Sequence, residues 1–114
     1  MLDRIKESDW KIFRRLREVA LERYCERVLA EMESVAADKT RTSHERYLAI
    51  WKLLKERDED LADAFDDLRR SVALTRLMHL RRLALLSDEE MSQFSPDTQE
   101  SVRAWLELRR RYSD

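Results

Sequence analysis

Two histidines, one cysteine, an acidic block and several arginine groups are the residues here whose types and spacing bear on chemistry. His44 falls at a helix start, and His79 lies within Leu77-Met78-His79-Leu80. No Glu-x-x-His pair exists, so the carboxylate-bridged metal pattern of helical bundles is missing. His79 and Cys25 would hold a metal only if packing joined them with further ligands. Both are read as structural residues, and no metal or cofactor is expected. Cys25 follows Tyr24 on an apolar helix face, where a cysteine behaves as a small hydrophobe. No helix start lies near it in sequence to favour a thiolate nucleophile.

Asp58, Glu59, Asp60, Asp63, Asp66 and Asp67 form the acidic block. A helix cannot wrap a calcium ion, and the glycine of an EF-hand loop is absent. The block therefore reads as a solvated face or an electrostatic docking patch. Arginines cluster at Arg14, Arg15 and Arg17, at Arg69 and Arg70, and at Arg109, Arg110 and Arg111. Such clusters suit phosphate. Acids are nearly as dense on the same segments, so pairing with them is the preferred reading, and nucleic acid is a disfavoured partner. Arg23 and Arg27 lie toward an apolar face. In a small all-α enzyme they would be the inward pair that clamps an anionic substrate.

The chain that must position these residues has 114 amino acids, no Gly, one Pro and one Cys. Without Gly there is no phosphate-binding loop and no dinucleotide fingerprint. A single Cys excludes an internal disulfide and a cysteine-based zinc cluster. Lys and Arg number 23 against 24 Asp and Glu, a net charge of −1. That is not the basic excess of a non-specific nucleic-acid binder. The start, Met1-Leu2-Asp3-Arg4-Ile5-Lys6-Glu7, has no apolar core of a secretory leader. No apolar run is long enough to span a bilayer. A cytoplasmic setting is expected.

Leu, Ala, Glu and Arg are abundant, and all favour helix, as does Lys. The fold expected is all-α: one domain over 1–114, an antiparallel helical bundle of about four helices. The first runs from about Asp9 to Ala37 behind Ser8 as N-cap. It sets Phe13, Leu16, Ala20, Tyr24, Val28 and Val35 on one side. Thr42 and Glu45 make a capping box for the second. From Tyr47 a stripe repeats with the period of a coiled-coil seam: Tyr47, Trp51, Leu54, Asp58, Leu61, Phe65, Leu68, Val72. Bases before residue 58 and acids after it suggest a break at 57–60, giving helices 43–57 and 59–86. If that segment does not break, one long helix results. Ser87 and Glu90 form a second capping box, and Ser95-Pro96 opens a final helix to about Tyr112.

The function expected is an interaction module, non-enzymatic, that self-associates as a homodimer or docks another protein. Its contact residues are placed at Trp51, Phe65 and Leu68 on the seam, with Arg69 and Arg70 beside it. The alternatives are the anion-binding enzyme and a nucleic-acid-binding regulator.

Overall fold

A computed structural model describes residues 5–112. The segment Met1–Glu7, read above for a secretory leader, lies partly outside them, at residues 1–4. Among the described residues every regular element is helical: α1 (Glu7–Ala36), α2 (Ser43–Phe65), α3 (Ala73–Arg82), α4 (Asp88–Met91) and α5 (Pro96–Tyr112). One turn of 3-10 helix, Arg70–Val72, precedes α3. No described helix is long and apolar enough to cross a membrane.

Helix α1 buries Phe13, Leu16, Ala20, Tyr24 and Val28 along one stripe, as its pattern predicts. Lys6 stands at its N-cap with no side-chain bond, so Ser8 is inside the helix. Helix α2 opens with the Thr42–Glu45 capping box and returns antiparallel along α1. Three contacts measure that pairing. Arg17 donates to the Phe65 carbonyl, the Tyr24 hydroxyl donates to the Arg57 carbonyl, and Arg46 donates to the Ala36 carbonyl.

The break after α2 is neither at 57–60 nor absent. The helix runs on through Asp58 and Asp60 and ends at Phe65. Acids at a helix start are favoured by only ~0.3–1 kcal/mol each. Burying Phe65, which is 5% exposed, is worth about 2–3 kcal/mol, and Ala64 is buried beside it. Packing outweighs the dipole, and the acidic block falls at the helix end. The chain then turns through Asp66, extended, and Asp67, left-handed at φ 61. Helix α3 runs back antiparallel to α2. Arg76 reaches the carbonyls of Asp63 and Asp66, while Arg82 lies 3.7 Å from Asp60.

Helix α3 stops at Arg82, short of the predicted Leu86. The Leu85 N–H bonds the Leu80 carbonyl, and the Ala84 N–H bonds the Arg81 carbonyl. Ala84 sits between them at φ 58. This is a Schellman ending, with alanine where glycine is usual. It turns Leu85 and Leu86 into the core.

The second capping box, at Ser87 and Glu90, forms and starts α4. Helix α5 begins at Pro96 and packs on α3, where Trp105 meets the edge of the His79 ring at 5.4 Å. Its first turn is anchored by Asp9, which is 1% exposed and accepts from the Ser95 N–H, the Ser95 hydroxyl and the Thr98 hydroxyl. Burial alone raises the pKa of that carboxyl. The Ser95 and Thr98 bonds more than offset it and hold the group below its usual value.

Two outcomes follow for stability. A left-handed alanine costs about 1–2 kcal/mol, so Ala84→Gly is expected to raise the urea-unfolding free energy by about 1 kcal/mol after the extra freedom of glycine in the unfolded chain is counted. Asp9→Ala leaves three donors without their acceptor and is expected to cost about 2–3 kcal/mol. Because the folded Asp9 pKa is depressed, its contribution is present above the ordinary carboxyl range and lost as pH falls below it. Urea melts of wild type and Asp9→Ala should therefore converge in acid.

Candidate functional site

The seam read from the sequence exists, but only part of it is covered. At its carboxy-terminal end α3 lies along α2 and Phe65 is buried. Toward the other end α3 has already turned away, and the α1–α2 hairpin continues as an arm. There Tyr47 is 66% exposed, Trp51 58% and Leu54 50%. Leu48 and, across on α1, Leu29 are exposed as well. The face that α2 turns to α1 is rotated from this stripe and carries the half-buried Arg46, Ile50, Leu53 and Arg57.

Beyond the end of α3 the two helices enclose an apolar groove of about 340 Å³. Tyr24, Cys25, Val28, Leu29 and Met32 line it from α1; Leu54, Arg57, Asp58 and Leu61 line it from α2. Its floor is fixed by a two-pronged ion pair from Arg57 to Glu31, at 3.0 and 2.8 Å. Arg57 holds the Glu31 carboxyl below its usual pKa through those bonds. Tyr24 adds its 2.7 Å bond to the Arg57 carbonyl. The Asp58 carboxylate, in contrast, has no hydrogen bond or ion pair among the described residues. Near it, the Lys55 ammonium lies 5.3 Å from the centre of the Trp51 ring. Such a pair adds about 0.5–1 kcal/mol at an exposed site.

The five expected contact residues are not brought together. Trp51 is on the arm, and Phe65 is in the core. Leu68 is exposed in the connection after α2. Arg69 pairs with Asp67, while Arg70 pairs with Glu7 and donates to the Ile5 carbonyl. Sequence reasoning missed the groove itself. The signal was available in Leu29 and Met32, which sit beside Val28 on the wheel of α1.

Arg23 and Arg27 face the corner after α3. Arg23 grips Glu90 with both prongs and also donates to the Leu85 carbonyl. Arg27 donates to the carbonyls of Leu83 and Ala84. Bonds from Arg23 pull the Glu90 pKa down to about 2, against the opposing effect of burial. The other clusters are also engaged. Arg14 covers the Trp10 ring, Arg15 bonds Gln93, and Arg109 covers Trp105. His79 is half-buried, and burial together with the nearby Arg82 charge lowers its pKa. Cys25 is exposed in the arm groove. Among the described residues no three His, Cys, Asp or Glu side chains converge as a metal site would need.

Set against known protein families, curated proteins and solved structures, this chain matches none.

Because Glu90 titrates near 2 when folded and near 4.5 when unfolded, its contribution is complete above pH 4.5 and disappears as pH falls through 2. Glu90→Gln is expected to lose about 1 kcal/mol at neutral pH, a figure kept small because Arg23 is partly exposed. Its urea midpoint should also fall less than that of wild type between pH 4.5 and 2.

Proposed function

We propose that this chain is a self-associating helical interaction module, one domain that works as a homodimer and carries out no chemistry of its own. The observation that carries this reading is the half-covered seam. One stripe on α2 is sealed by α3 near Phe65 and bare from Tyr47 to Leu54. A large exposed apolar patch on a soluble chain marks an association surface. Tryptophan on such a patch is a common energetic anchor.

The molecule's dimensions support the same reading. It measures 51 × 32 × 25 Å with a radius of gyration of 16.7 Å. A compact chain of this length would have about 13 Å. Its accessible surface is 7750 Å², against the ~6,600 Å² expected for a compact monomer of its mass. The surplus of about 1,100 Å² is comparable to the ~800 Å² that each partner contributes to a standard interface.

The engagement of Arg23 and Arg27 with carbonyls and Glu90 favours this reading over an anion-clamping enzyme. An exposed, unpaired Cys25 suits a reducing, cytoplasmic setting.

Sedimentation velocity over a range of concentrations tests the reading. Wild type is expected to sediment as a dimer at high micromolar concentration. Trp51→Glu combined with Leu54→Glu is expected to weaken association by at least tenfold, or 1.4 kcal/mol, with unchanged helicity. A wild-type chain that stays monomeric throughout overturns it.

A further inference from the structure

We infer that the arm groove is filled by a second copy of this chain, paired antiparallel about a two-fold axis near Leu54, with the Trp51 indole of each copy seated over Asp58 of the other. This rests on the self-association proposed above and specifies its register and contacts.

An isologous interface requires that knob and hole share one face, so that each copy offers both. Trp51 and Asp58 meet that condition. They stand two turns apart on one stripe of α2, a separation of ~10 Å. A two-fold axis midway between them, at Leu54 and Lys55, carries each onto the other.

The chemistry of knob and hole also matches. The groove is walled by apolar side chains apart from Asp58 and the Arg57 that Glu31 already holds. Among the described residues the Asp58 carboxylate accepts from no donor. The knob is an indole with the Lys55 ammonium over its ring. Seating the indole therefore covers the apolar walls and delivers a cation to the Asp58 carboxylate of the groove, twice per dimer. A parallel pairing would set Asp58 beside Asp58 and Trp51 beside Trp51, and like charges across a helical seam repel. The antiparallel register moves the two Asp58 side chains about two turns apart and sets each beside the Trp51 and Lys55 of the other copy. The two hairpin arms then form a four-helix bundle in which the bare part of the stripe is sealed by its own duplicate.

Charge reversal on the full chain tests this register. Lys55→Asp and Asp58→Lys are each expected to raise the dimer dissociation constant at least tenfold in sedimentation equilibrium. An equimolar mixture of the two variants is expected to recover most of the wild-type affinity. In the mixed dimer both contacts become aspartate against lysine, and no effect within a single chain imitates that recovery. A second readout uses Cys25, exposed in the single chain and lining the groove. Maleimide labelling of Cys25 should slow several-fold in wild type as concentration rises through the dimer range, and should stay fast in Trp51→Ala. Two results overturn the pairing while leaving self-association standing: a wild-type dimer whose mixed variants bind no better than either alone, or a dimer with unprotected Cys25. A wild-type monomer at high micromolar concentration overturns both and assigns the groove to a different chain.

Discussion

Helices α1, α2 and α3 end without glycine, and arginine makes that possible. The last turn of a helix leaves carbonyls with no partner inside the helix. Glycine at the following position is the common remedy, because it lets the backbone fold back on those groups. Here guanidinium groups bind the chain ends instead, all but Arg81 reaching in from another element. Arg46 bonds the end of α1; Arg17 and Arg76 bond the end of α2; Arg23, Arg27 and Arg81 bond the turn after α3. A planar guanidinium with five donors can serve two acceptors at once, as Arg76 and Arg27 do. A lysine ammonium offers no such rigid fork. The excess of Arg over Lys therefore has a structural use. Local helix endings have been converted into contacts between elements, so the corners of the fold and its packing depend on the same side chains.

That arrangement also decides where the seam is covered. The turn after α3 is pinned by Arg23 and Arg27 near the middle of α1, and α3 can extend no further along the hairpin. The ten residues of α3 cover the lower part of the α2 stripe. Above them, the arm keeps its apolar side chains in water. The stretch of bare surface is thus a product of corner chemistry as much as of hydrophobic patterning.

Much of the architecture was legible in the amino acids. The buried stripe of α1, both capping boxes and the Pro96 start came from periodicity and from donor–acceptor logic at helix ends. The interhelical face of α2 was not legible. Arg46 and Arg57 occupy it, and a wheel counts them as polar, although one donates to the Ala36 carbonyl and the other grips Glu31. The end of α2 was not legible either, because the dipole that favours a helix start at the acids is the weaker force. Ala64 and Phe65 had a larger burial term waiting in the tertiary fold. The role of Asp9 was equally hidden, since its donors are more than eighty positions away. The candidate site was half legible: the stripe with Trp51 could be read, whereas the groove beside it depends on where α3 stops.

The clasp between Asp9 and the start of α5 bears on how this protein comes into being. A ribosome delivers Thr98 long after Asp9, so the first turn of α1 stays unfinished while the intervening helices are made. Its carboxylate remains hydrated until α5 emerges, and only then can that end of the molecule close over it. Closure is thereby deferred until α5 has been synthesised, and up to that point exposed apolar helices are prone to stray association.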